Sequence, residues 1–186
     1  MKNTPLFFLL LFTFAAYGQQ GQSFLDSRDG KKYKAVKIGN QTWMAENLNY
    51  DASGSKCYDN KPENCTKYGR LYDWETAMKA CPPGWHIPSN DDYGNLMNKV
   101  GGFSTAGKHL KAKNGWEPYR GIKNLDTYGF SALHGGDGNE GYWWSANEHE
   151  YYSNYAYAQR MIYLSDYAHW SGIIKSNLQS VRCLQD

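Results

Sequence analysis

Three groups of residues have the types and spacing to do chemistry. The first lies in Gly84-Trp85-His86-Ile87-Pro88-Ser89. His86 is the side chain best suited to acid–base work near neutral pH, but the sequence implies no nucleophile beside it. Ser89 reads as a helix cap and lacks a Gly-x-Ser-x-Gly elbow. His86 is therefore read as a hydrogen-bonded structural histidine on a short, half-buried strand, and no catalytic residue is assigned. The second group is Gly135-Gly136-Asp137-Gly138-Asn139-Glu140, which concentrates oxygen donors in a flexible loop as a calcium site does. It lacks the Asp-x-Asp-x-Asp-Gly spacing of an EF-hand, so a plain glycine-rich turn is the favoured reading. Calcium is the one cofactor considered, with Asp137, Asn139 and Glu140 as its candidate ligands.

The third group is aromatic: Tyr142, Trp144, Asn147, Glu148, Tyr151, Tyr152, Tyr155, Tyr157 and Trp170. Exposed rings stack on the apolar faces of sugars while Asn and Glu hydrogen-bond the hydroxyls. These residues are the expected ligand-binding set; the competing reading places half of the rings in the core. Composition points the same way. The chain is 16% aromatic, with 16 tyrosines against 7 phenylalanines, and tyrosine in such excess suits an amphipathic surface better than a dry core.

Cys57, Cys65, Cys81 and Cys183 form an even set, which in an exported chain reads as two disulfides. Three pairings are open. Cys57–Cys65, a small loop closure, and Cys81–Cys183, tying the first helix to the last strand, are favoured. A zinc site has no Cys-x-x-Cys spacing to support it. Export is expected from Lys2, the apolar run Leu6 to Phe14 and the small residues Ala16 and Gly18, which together read as a signal peptide over residues 1–18 cleaved before Gln19. The apolar run is about half of a bilayer span, so no membrane span is expected in the mature chain. Formal net charge is +2 without a basic cluster in the sequence, so nucleic acid has no electrostatic support as a partner. The remaining length suits one domain.

The elements that must position these groups are short. Residues 19–28 read as a flexible lead-in and 29–186 as the domain. Tyr33 to Ile38 alternates as a strand, with Lys34, Val36 and Ile38 on one face. Gly39-Asn40 is a two-residue hairpin turn, glycine first favouring type II′, and Gln41 to Leu48 returns. Residues 49–68 read as irregular. Trp74, Ala77, Met78 and Cys81 share one helical face, with Asp73 as N-cap and Pro82-Pro83 as the stop. Ser89 and Asp92 read as a capping box before a second helix burying Tyr93, Leu96, Met97 and Val100, ended by Gly101-Gly102. Residues 102–141 show no sustained period and read as a long loop region with strand pieces such as 125–133. Tyr142 to Ala146 and Asn154 to Leu164 alternate as strands, with Trp143 and Trp144 on opposite faces and one of them core. His169 to Gly172 reads as a turn or short strand. Ser180 to Leu184 closes the chain, with Val181 and Cys183 inward and Ser180 and Arg182 outward. Asn40-Gln41-Thr42 and Asn64-Cys65-Thr66 match a glycosylation pattern of little weight.

Six motifs in order carry a resemblance: Gly39 to Leu48, Tyr68 to Tyr72, Cys81 to Ser89, Gly129 to Leu133, Tyr142 to Ser145 and Ser180 to Cys183. They resemble the Fibrobacter succinogenes major paralogous domain, from about Asp29 to the C-terminus. That resemblance implies an exported bacterial protein and names no activity. The order of elements is similar to the C-type lectin-like fold, implying an α+β domain of two short helices on small antiparallel sheets, a long loop region and two disulfides. Within that wider group, calcium-dependent lectins carry Glu-Pro-Asn or Gln-Pro-Asp and Trp-Asn-Asp. Here Glu117-Pro118-Tyr119 lacks the third donor, and Trp-Asn-Asp is absent. Formylglycine-generating enzymes have similar Gly-Phe and Tyr-Trp-x-Ser segments but need two redox cysteines late in the chain, where this one has Cys183. The expectation is a secreted or cell-surface recognition module whose partner is carbohydrate or a surface protein. An enzyme related to the formylglycine-generating group with altered chemistry, or a structural subunit of a surface assembly, are the alternatives.

Overall fold

The computed structural model describes residues 22–186; the expected signal peptide lies outside them. Two antiparallel sheets carry the fold. The first contains β1 (Gln22–Leu25), β2 (Lys32–Ile38), β3 (Gln41–Met44), β4 (Trp85–His86) and β8 (Leu184–Gln185), in the order β1-β2-β3-β8-β4. The second contains β5 (Glu140–Glu148), β6 (Tyr155–Ile162) and β7 (Ala168–Ile174), in chain order. Four helices join them: α1 (Pro62–Tyr68), α2 (Trp74–Ala77), α3 (Asn90–Lys99) and α4 (Phe103–Leu110). The fold is thus α+β with small antiparallel sheets, and the first and last strands of the domain share one sheet.

The hairpin is as read. Ile38 pairs Gln41, and Gly39 has a positive φ of 66° while Asn40 does not, the sign pattern of a type II′ turn. The faces of β2 divide as read, and each carries buried residues. Tyr33 and Ala35 are buried on one side and Val36 and Ile38 on the other, because the strand passes between two cores. Val36, Ile38 and Trp43 join α3 and α4 in one core; Tyr33, Met44, Tyr72 and Trp74 form the second. The pair Trp143 and Trp144 repeats this arrangement, one ring in each core and both fully buried.

Both disulfides form with the favoured pairing, Cys57–Cys65 and Cys81–Cys183. Asp73 caps α2, its carboxylate accepting from Thr76 N–H at 2.8 Å, and Ser89 and Asp92 form the full capping box. Four expectations need correction. The lead-in contains β1, held because Phe24 stacks on Trp85 at 4.1 Å between centroids. The irregular stretch contains α1, started by Pro62 at its N-terminus. Helix α2 ends at Ala77 and leaves Met78 39% exposed, so the Trp74-to-Cys81 face is only half helical. The long loop region contains α4, while 125–133 forms no strand beyond a single bridge from Ala132 to Lys111. Gly107 lies so close to the backbone of residues 166 and 167 that a Cβ would meet Tyr167 O at 2.5 Å. That close approach seats α4 against the start of β7.

Candidate functional site

One end of the β5–β6–β7 sheet carries an aromatic shelf. Tyr155, Tyr157 and Gln159 point to the same face, as the alternation requires, and Ala156 and Ala158 face the second core. At the Gln159 end this face is buried, while at the hairpin end it is open. There the His149 ring stacks on Tyr157 at 5.0 Å and 22°, with Tyr152 at 5.1 Å and Tyr151 at 6.1 Å. Tyr152 also meets Tyr155 at 5.7 Å. Tyr151 is 81% and Tyr152 60% exposed. The ring of His149 is fixed from three sides. Its backbone N–H donates to Tyr155 O at 3.0 Å, its Nδ1 accepts from Tyr151 N–H at 3.2 Å, and Gly172 lies beneath it. A Cβ at Gly172 would come within 2.8 Å of His149 Cδ2, so the ring rests where only a glycine leaves room. Trp170, half-buried, lies 6.3 Å from Tyr157 and closes the shelf against Tyr93.

The other residues expected to bind ligand are placed elsewhere. Trp144 is fully buried, donating from Nε1 to Tyr72 O at 2.7 Å, so it cannot meet a ligand. Tyr142 points to the opposite sheet face, where its hydroxyl donates to Glu140 and Arg160 lies 5.7 Å from its ring. Desolvation and the Glu140 carboxylate push that phenol up to about 12. Asn147 sits in an irregular stretch of β5 between Trp144 and Glu148. Its Oδ1 accepts from Asn90 N–H at 2.7 Å, docking the strand on the start of α3. Glu148 pairs with Lys175 at 2.9 Å. The shelf thus gathers Tyr151, Tyr152, Tyr155, Tyr157 and Trp170. The sequence reading omitted His149 and Gly172, whose partnership depends on the β6–β7 register, in which Tyr157 faces Gly172.

A histidine organises the glycine-rich loop. His134 is buried and neutral by geometry: Nε2 donates to Gly115 O at 2.6 Å, and Nδ1 accepts from the N–H groups of Gly136 and Gly138. Burial holds its pKa below the usual histidine value. Asp137 Oδ1 accepts from the N–H groups of Asn139 and Glu140. Glu140 is engaged by Arg160 at 2.7 Å, which holds its carboxyl below the ordinary range. A calcium ion would have to displace that guanidinium, and among the described residues no group of three or more His, Cys, Asp or Glu side chains is placed to hold a metal. His86 is the exposed residue of the half-buried strand β4 and is hydrogen-bonded, standing between Asp186 at 2.6 Å and Asp92 at 3.8 Å. All four cysteines are bridged.

Arg182, expected to face outward, is fully buried. Nε donates to Asn47 Oδ1 at 3.0 Å, Nη1 to Phe130 O and Met44 O, and Nη2 to Ser131 O at 2.6 Å. Asn47 uses its whole amide: Nδ2 donates to Tyr68 O and Leu133 O, and Oδ1 also accepts from Trp143 Nε1 at 2.9 Å. This polar knot is full by the donor and acceptor count of the asparagine side chain. Desolvation lowers the Arg182 pKa to about 10.

Residues 36–185 match the family model of the Fibrobacter succinogenes major domain, and the chain belongs to that family. No curated protein and no solved structure matches it. Among the described residues no helix is long and apolar enough to cross a membrane.

Proposed function

We propose that this protein is an exported recognition module that holds carbohydrate on the His149 shelf, on a scaffold of C-type lectin-like arrangement. The observation that carries the reading is the pair of exposed rings Tyr151 and Tyr152, backed by a histidine locked over Gly172. Large apolar rings left in water on a rigid base are the usual mark of a contact surface. Rings with polar edges suit sugars, whose C–H faces stack while their hydroxyls find hydrogen-bond partners. The scaffold reading is supported by the shared sheet of first and last strands and by the Cys81–Cys183 bridge from the α2 region to the last strand. Export is supported by two disulfides, bonds of an oxidising compartment, together with the expected leader.

A glycan array tests the proposal. Binding to a subset of glycans is expected, with each of Tyr151→Ala, Tyr152→Ala and Tyr155→Ala weakening it by about tenfold, the loss of one buried contact ring. A folded protein that binds no glycan, or that binds unchanged after the three substitutions together, would overturn it.

A further inference from the structure

We propose a second ligand site, a basic cleft that takes an acidic saccharide, meaning a sugar bearing carboxylate or sulfate groups. The cleft lies between β2, α1 and the segment around Gly129 to Leu133, and its volume is about 590 Å³, within the range of small-molecule sites. It shares no residue with the aromatic shelf and does not depend on the reading given to it.

Four lysines, Lys31, Lys32, Lys34 and Lys67, line the cleft, Arg182 lies behind it, and the one lining carboxylate is Glu46. That carboxylate is turned to the strand, accepting the Lys34 N–H at 2.6 Å. Lys31 is tied to Asp29 at 3.3 Å and donates to Asn49 O. Lys32, Lys34 and Lys67 are exposed, and among the described residues none of them joins an ion pair. The period-two pleat puts Lys32 and Lys34 on the same face of β2. Three of these lysines are neighbours in the sequence, in Lys31-Lys32-Tyr33-Lys34, and the fold adds Lys67 from α1.

Arg182 adds the second, independent observation. Its bonded partners are carbonyl and amide oxygens, and it has no carboxylate partner among the described residues. Its positive charge is hydrogen-bonded to neutral oxygens, and the carboxylates of Asp126 and Glu46 act on it from beyond ion-pair distance. Out of water that charge is weakly screened, and a concave, low-dielectric wall focuses the field of the lysines into the cleft. A bare anion would use only these charges. The wall also carries Asn49, Thr66, Asn114 and Ser131, amide and hydroxyl groups that donate and accept as sugar hydroxyls require. Anionic charge and hydroxyls on one small molecule describe an acidic sugar.

Calorimetric titration of the mature protein tests this with four probes: trigalacturonate, a sulfated disaccharide, neutral galactose and sodium sulfate. At least one acidic saccharide is expected to bind, and the two probes tell carboxylate from sulfate. Its affinity should fall steeply between about 0.01 M and about 1 M salt, as the screening length drops from about 30 Å to about 3 Å. The Lys32→Glu/Lys67→Glu variant, changed only at exposed positions, should bind roughly tenfold more weakly or worse. Tyr151→Ala/Tyr152→Ala should bind the acidic sugar unchanged, which separates this site from the shelf. Four results would overturn the proposal: no binding of either acidic saccharide, sulfate (or, in the tyrosine variant, galactose) binding as tightly as the acidic sugars, indifference to the charge reversals, or loss in the tyrosine variant.

Discussion

The knot around Asn47 and the shelf around His149 each combine a tryptophan with a nitrogen-bearing side chain, and they end as opposites. In the knot every polar atom of Asn47 has a protein partner and Trp143 and Arg182 are removed from water. In the shelf the rings meet one another while Tyr151 and Tyr152 stay in water. A buried polar group must find its partners inside the protein, because an unmatched one costs about 1–3 kcal/mol. An exposed ring has no such obligation and is free to meet something else. The knot joins segments distant in the chain; the shelf belongs to one hairpin and its neighbour.

That contrast breaks if damage to the two regions has similar consequences. The largest effect is expected from the staple beside the knot. Replacing Cys81 and Cys183 by serine opens a bridge between residues 102 apart and should cost about 4 kcal/mol, read as a fall in the urea midpoint. Asn47→Ala leaves the indole N–H of Trp143 and the Nε of Arg182 without acceptors and should cost about 3 kcal/mol, with a shift in tryptophan emission.

A smaller effect comes with pH. The folded pKa of His134 lies below its unfolded value of 6.5, so the unfolded chain takes up the proton first. The stability it contributes is complete above that value and is lost as the pH falls from there through the folded pKa, at a slope of at most about 1.4 kcal/mol per pH unit. Chemical denaturation at successive pH values, with His134→Gln lacking this slope, checks it. Gly172→Ala should displace the His149 ring and weaken glycan binding more than it changes stability. Tyr152→Ala should leave the melting curve within about 0.5 kcal/mol of the parent while glycan binding weakens about tenfold. An equal loss of stability from Tyr152→Ala and Asn47→Ala would erase the distinction between the two regions.

Much of the frame was legible in local pattern. The Gly39-Asn40 hairpin, the caps at Asp73 and Ser89, the Tyr93–Val100 face and both disulfides depend on residues close together or on few pairings. What escaped had weak local signals. Helix α4 does place Phe103, Ala106, Gly107 and Leu110 at helical spacing, but its small and polar residues hide the period. β1 is held by pairing with β2 and by Phe24 against Tyr33 and Trp85, contacts that its four residues alone do not announce. Of the expected binding residues, Tyr151, Tyr152, Tyr155, Tyr157 and Trp170 come together, whereas Tyr142 and Trp144 are directed to the other face and the core. Alternation marked the faces of β6 but could not say how far along the strand the core extends.

The amino-acid sequence alone determined family, hairpin and helix caps and narrowed the cysteine pairing to three choices, because these follow from backbone chemistry and spacing within short stretches or from a small set of choices. Tertiary structure alone decided that Arg182 is buried, that Lys67 joins Lys31, Lys32 and Lys34 at one cleft and that His149 lies on Gly172. Those relations depend on strand register and on segments brought together from far along the chain, and neither residue type nor local period encodes where two distant segments come to rest.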